Sequence, residues 1–104
     1  MADVKDQATY PRAVAYLIHD GREGQQRAAI ERGATQLRFN VVAEIKVDPN
    51  QIDSHSFVRL LEQINENEVS VVLVEDANRI SRDMAVALAH RGARVMTAAG
   101  DVIP

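Results

Sequence analysis

The chain contains no cysteine, which excludes a disulfide framework, a thiolate metal site and a thiol nucleophile together, and suits a reducing, cytoplasmic setting. Its three histidines, His19, His55 and His90, stand too far apart for the paired spacing of a zinc site. No metal and no cofactor is expected. Long apolar runs are also lacking: none approaches membrane length, and the N-terminus has no signal-peptide core, so no membrane partner is expected. Nor is there an excess of positive charge. The formal net charge of −3 argues against strong, stand-alone nucleic-acid binding by the whole domain, although a local basic patch is compatible with it.

What the 104 residues do contain is enough for one domain, which at this length buries roughly two-thirds of the surface its unfolded chain exposes. Residues 1–12 are polar, carry Pro11 and show no period, and read as a flexible N-terminal segment ahead of a domain spanning 13–104. The run 69–74, Val-Ser-Val-Val-Leu-Val, is too short for an ordinary helix and too continuously apolar for a strand with one wet face. It predicts a central, doubly covered strand. Residues 13–18 have the same character and stop at the turn signal His19-Asp20-Gly21. Further strands are expected over 37–45 and 93–98.

Between them lie helical patterns. Over 22–36, Ala28, Ala29, Ile30 and Ala34 fall on one side, with Gly33 weakening the last turn. The loop 46–54, with Asp48-Pro49-Asn50, leads to a helix that Ser54 or Ser56 can cap and that packs Phe57, Leu60, Leu61 and Ile64 before ending near Asn65. A third helix, 81–91, turns Met84, Ala85, Ala87 and Leu88 inward and meets its left-handed cap at Gly92. Strands alternating with helices predict an α/β fold: three layers, with a mostly parallel sheet of four to five strands and helices on both faces.

In such sheets ligands bind in the crevice at the carboxyl ends of the strands. The residues predicted there are His19, Asp20, Lys46, Glu75, Asp76, Arg79 and Arg82. Arg79 and Arg82 form a candidate phosphate or DNA site, because guanidinium forks match phosphate oxygens. The plainer alternative pairs them with Glu75, Asp76 and Asp83 on a wet surface. Ser81 between them is expected to cap the following helix rather than to react. Asp20, Glu75 and Asp76 could alternatively hold magnesium, though three acids at a crevice mouth are more often solvated.

The segment Val-Val-Leu-Val-Glu-Asp-Ala-Asn-Arg-Ile-Ser-Arg-Asp, with the order of elements from Ala13 to Ala98, resembles the N-terminal catalytic domain of the serine recombinases, the resolvases and DNA invertases. In that family a buried strand ends in a motif close to Asp-Arg-Leu-x-Arg, whose arginines hold the scissile phosphate; Arg79 and Arg82 match them. Tyr16 stands where the family has the tyrosine of Tyr-x-Arg-x-Ser, a further crevice candidate by that resemblance, and Gln26-Arg27 is similar to the Gln-Arg of its first helix. Gly92-Ala-Arg-Val resembles the family's step from glycine into a strand. The departures fall on the reacting groups. Ile18 replaces the motif's arginine, Asp20 stands at the nucleophilic serine, Asn78 replaces the acid that opens the arginine motif, Ser70 replaces an acid near the start of its strand, and Asp53-Ser54-His55 lacks the usual arginine.

The resemblance therefore implies a resolvase-like domain without catalytic residues, serving protein association or regulation in a DNA-related process, with a protein partner or a second copy of itself and at most weak DNA contact. The alternatives are an active or residual recombinase or DNA-binding domain, or an α/β protein binding a small phosphate ligand with Asp20 or His19 as acid or base. The family's long helix and DNA-reading module do not follow Pro104, so the expectation is a freestanding short protein or a domain of a longer one.

Overall fold

The computed structural model describes residues 10–48 and 54–103. Four strands alternate with three α-helices: β1 (Arg12–Ile18), α1 (Glu23–Leu37), β2 (Asn40–Val47), α2 (Ser54–Asn67), β3 (Val71–Val74), α3 (Arg82–His90) and β4 (Arg94–Thr97). The strands form one parallel sheet in the order β2-β1-β3-β4. Its two central strands carry the apolar runs: six consecutive residues of β1 and all four of β3 are buried, as strands covered on both faces must be.

Successive side chains of a strand point to opposite faces, and β1 divides its residues between two cores accordingly. Ala13, Ala15 and Leu17 pack with Val71 and Leu73 against Ile30 and Ala34 of α1. Val14, Tyr16 and Ile18 pack with Val72 and Val74 against Leu60 and Ile64 of α2 and Ala85 and Leu88 of α3. The result is the three-layer α/β architecture expected, with four strands, all parallel.

Several boundaries differ. The strand expected over 37–45 runs instead from Asn40 to Val47, because Leu37 still belongs to α1 and the chain leaves that helix through Arg38 at φ 62. The strand expected over 69–74 begins at Val71. Val69 donates to the Ile64 carbonyl and closes the end of α2, while the Ser70 amide and carbonyl bond Arg12 and Arg94 across the sheet's lower edge. Ala28, expected inside, is exposed; the buried positions of α1 are Gln26, Ile30, Gly33 and Ala34. Of the N-terminal segment expected over 1–12, Arg12 already belongs to β1; residues 1–9, the turn at Pro49-Asn50 and the cap expected from Ser54 or Ser56 fall outside the described residues and side chains.

The end of α3 follows its sequence signal. Gly92, at φ 86, donates to the Ala89 carbonyl and Ala93 to the Leu88 carbonyl, the paired closure of a Schellman motif. Beyond β4 the chain reverses at Gly100, and an antiparallel bridge joins Met96 to Val102. Asp101 accepts from Thr97 and Ile103 donates to Val95, so the C-terminal residues cover the outer edge of β4. The outer edge of β2 has no strand partner among the described residues.

Candidate functional site

At the carboxyl ends of β1 and β3 two turns face one another, and each is built by its own side chains. After β1 the chain turns through Gly21 at φ 86, a conformation that favours glycine. The Glu23 carboxylate accepts from the backbone N–H groups of Asp20 (3.1 Å) and Gly21 (2.6 Å), and Asp20 Oδ1 accepts from the N–H of Arg22 (3.0 Å). After β3, Asp76 caps a short 3-10 turn over Ala77–Arg79 by accepting from the N–H of Asn78 at 2.9 Å. Ile80 is extended, and Ser81 caps α3 by accepting from the N–H of Met84 at 3.1 Å. The Ser81 hydroxyl is therefore occupied by a helix terminus, as its position in the sequence suggests.

Arg79 joins the two turns. Its Nη1 donates to Asp20 Oδ2 at 2.9 Å, and its Nε and Nη2 lie 3.1 and 3.0 Å from Glu75 Oε1, with Asp76 Oδ2 at 3.9 Å. Its side chain is only 17% exposed. One guanidinium thus lies among three carboxylates, which leaves the crevice acidic and occupies the fork an anion would need. Arg82 is exposed, makes no ion pair with a described residue, and sits on α3, beyond the extended Ile80-Ser81 link. The pair expected to act together is divided between two elements, because the chain leaves the 3-10 turn before the helix starts.

Behind this cluster stands a buried amide. Gln26 has no exposed surface, yet its Nε2 donates to the Ile18 carbonyl and its Oε1 accepts from the Ile18 N–H, both at 2.8 Å, while Nε2 also lies 3.2 Å from Asp20 Oδ1. The side chain completes the backbone hydrogen bonding of the last residue of β1 and directs the chain into the Asp20 turn. Gln26, Ile30, Gly33 and Ala34 share one helical face, so the stripe that carries Gln26 inward was present in the spacing; its polarity hid it.

The remaining predicted site residues divide. Asp20, Glu75 and Asp76 join the Arg79 cluster. His19 points outward, 62% exposed, with Nδ1 at 2.9 Å from Glu23 Oε2. Tyr16 is corrected from a crevice residue to a core residue: it is 1% exposed and packs among Val14, Ile18 and Val72, and burial pushes its phenol above the ordinary value. Lys46 lies exposed on β2 and makes no ion pair with a described residue. Among the described residues no group of three His, Cys, Asp or Glu side chains is arranged to hold a metal ion, since the crevice carboxylates converge on Arg79. No helix of the described residues is long and apolar enough to cross a membrane.

The charges of the cluster are coupled. The Arg22 N–H, with Arg79 adding to it, holds the Asp20 carboxyl below its ordinary value. Desolvation acts to raise the Glu23 carboxyl, but the N–H groups it accepts and the neighbouring His19 outweigh that and hold it low. Away from the crevice, Arg27 of α1 grips Glu44 of β2 through two bonds of 2.7 and 2.8 Å, and that contact lowers the Glu44 carboxyl. Groups whose folded-state pKa lies below the unfolded one, about 3.9 for Asp, contribute stability that is complete above the unfolded value and lost as pH falls through the folded one. Urea midpoints measured from pH 7 to pH 2 are accordingly expected to hold steady to about pH 5 and then fall. Asp20→Asn, which keeps an acceptor for Arg22 but removes the charge, is expected to lessen that fall.

No protein-family model matches this chain, and no curated protein matches it.

Proposed function

We propose that this is a serine-recombinase-like domain that does not cleave DNA and serves protein association or regulation in a DNA-related process. The observation that supports the reading is the contact of Asp20 Oδ2 with Arg79 Nη1 at 2.9 Å. By the resemblance, Asp20 stands at the position of the attacking hydroxyl and Arg79 at that of a phosphate-holding guanidinium. A carboxylate in the first place cannot form a phosphoserine bond, and in this geometry it also occupies the second as an internal anion. Glu75 takes another donor of the same guanidinium. The same neutralisation disfavours the small-phosphate reading, because the Arg79 donors a phosphate would need are already taken by Asp20 and Glu75.

The test is incubation of the purified protein with supercoiled plasmid, followed by denaturing gels that reveal nicks, double-strand breaks and protein–DNA adducts. Intact plasmid is expected for both the native protein and Arg79→Ala. Cleavage by the native protein that disappears in Arg79→Ala would overturn the proposal.

A further inference from the structure

The two edges of the sheet are treated differently by the chain. The C-terminal residues cover β4, while β2 offers an outer edge with no strand partner among the described residues. We propose that this edge binds a second copy of the same chain, antiparallel about a two-fold axis at Ile45, so that two four-stranded sheets become one. The proposal deepens the association reading by naming the partner and the surface.

The backbone determines which residues can pair. The Val47 carbonyl accepts from the His19 N–H at 2.8 Å and so points toward β1. Because successive residues of a strand direct their N–H and C=O groups to opposite edges, those of Ile45 and Ala43 point the same way, and those of Glu44 and Lys46 point out. N-terminal to these, the β1–β2 register shifts between Ala13 and Val14, whose partners are Val41 and Ala43. Val42 is left as an extra residue, 37% exposed. Such a bulge interrupts an edge, which confines regular pairing to residues 43–47.

Charge then selects the register. A two-fold pair centred on Ile45 places Glu44 opposite Lys46 of the second copy and Lys46 opposite its Glu44, with on the order of four backbone hydrogen bonds between them. Centring the pair on Glu44 would oppose Glu44 to itself. Centring it on Lys46 would oppose Lys46 to itself. Like charges directly opposite are destabilising, so among registers centred on Glu44, Ile45 or Lys46 only that on Ile45 is attractive, and it alone pairs the whole regular segment from Ala43 to Val47. Charged residues and bulges are also how natural edges reject unwanted strands; here the same devices admit one partner in one alignment. Ile45 and Val47 are already buried within the chain, so the contact adds little apolar area and is expected to be weak and concentration-dependent.

Sedimentation velocity of the native chain from micromolar to millimolar concentration is expected to show a monomer–dimer equilibrium. Lys46→Glu should weaken it by about tenfold, as should Glu44→Lys. An equimolar mixture of the two variants should recover association, because each then supplies the charges the other lost. Circular dichroism checks that Glu44→Lys, which also loses its Arg27 contact, is folded. Since the chain has no cysteine, Glu44→Cys mixed with Lys46→Cys should form a mixed disulfide dimer faster than either variant forms one alone. A dimer indifferent to Lys46→Glu, or equal crosslinking by Glu44→Cys alone, would overturn the edge and its register while leaving association intact; a chain monomeric throughout would overturn the proposal outright. The plasmid assay reads the absence of cleavage independently of either result.

Discussion

Gln26→Leu is expected to lower the unfolding free energy by about 2–4 kcal/mol, since each buried backbone group left without a partner costs about 1–3 kcal/mol, offset in part by the apolar side chain. The N–H and the carbonyl of Ile18 both bond this one amide, and Ile18 ends a strand whose next residues turn away from the sheet. Leucine fills a similar volume but restores neither bond. The check is the urea midpoint at constant m-value. A second variant separates hydrogen bonding from packing. Gln26→Glu keeps shape and acceptor, but at neutral pH it places a charge against the Ile18 carbonyl and Asp20. Burial and those neighbours raise the folded-state pKa of the new carboxyl above its unfolded value, so its stability is greatest in acid and is lost as pH rises through that folded value. Gln26→Glu is therefore expected to be closer to the native protein at pH 5 than at pH 7, whereas Gln26→Leu should show no such difference. Equal stability of Gln26→Leu and native protein would show that the amide is replaceable.

Gly33→Ala is expected to destabilise the protein by about 1–3 kcal/mol, although helix propensity alone predicts a gain of about 1 kcal/mol. The difference in sign has a specific cause. Gly33 lies inside α1, where that helix crosses the chain leaving β4, and a Cβ built there would stand 2.4 Å from the Ala98 carbonyl oxygen and 2.8 Å from its Cα. Both are backbone atoms, so no side chain can rotate away to make room. Gly24, in the same helix, has nothing within 4 Å of the equivalent Cβ position, and Gly24→Ala is expected to be neutral or stabilising by up to about 1 kcal/mol. Thermal or urea unfolding of the two variants side by side checks the contrast. A stabilised Gly33→Ala would mean that α1 and residue 98 can separate without loss.

Both residues show where local reading stops. Gly33 looked like a weak point near a helix end, because propensity counts only what the residue does to its own helix; its use lies in a contact with a residue 65 positions later. Gln26 was legible as a helical position but not as a buried one, because polar residues seldom go inside without partners, and its partner is the backbone of the preceding strand. Tyr16 erred the other way. Its likeness to a family tyrosine placed it in the crevice, while the alternation of β1 sends it into the core with Val14 and Ile18.

The crevice was legible as a place and not as an arrangement. Asp20, Glu75, Asp76 and Arg79 were all expected at the strand ends, and the order β2-β1-β3-β4 sets β1 beside β3, which brings the residues following each together. Which acid would hold which base depended on the 3-10 turn over Ala77–Arg79 and the extended Ile80 after it. That local geometry turns Arg79 back toward Asp20 and leaves Arg82 on the next helix.

From composition and periodicity alone came the class of fold, the two covered central strands, the caps at Ser81 and Gly92, and the sites excluded by the absence of cysteine; each follows from residues near one another in the chain. The close approach of α1 to Ala98, the amide of Gln26 completing β1, the neutralised Arg79 and the uncovered edge of β2 were decided only by tertiary structure. Each depends on segments distant in sequence meeting at hydrogen-bond or van der Waals distance, and no local pattern carries that distance.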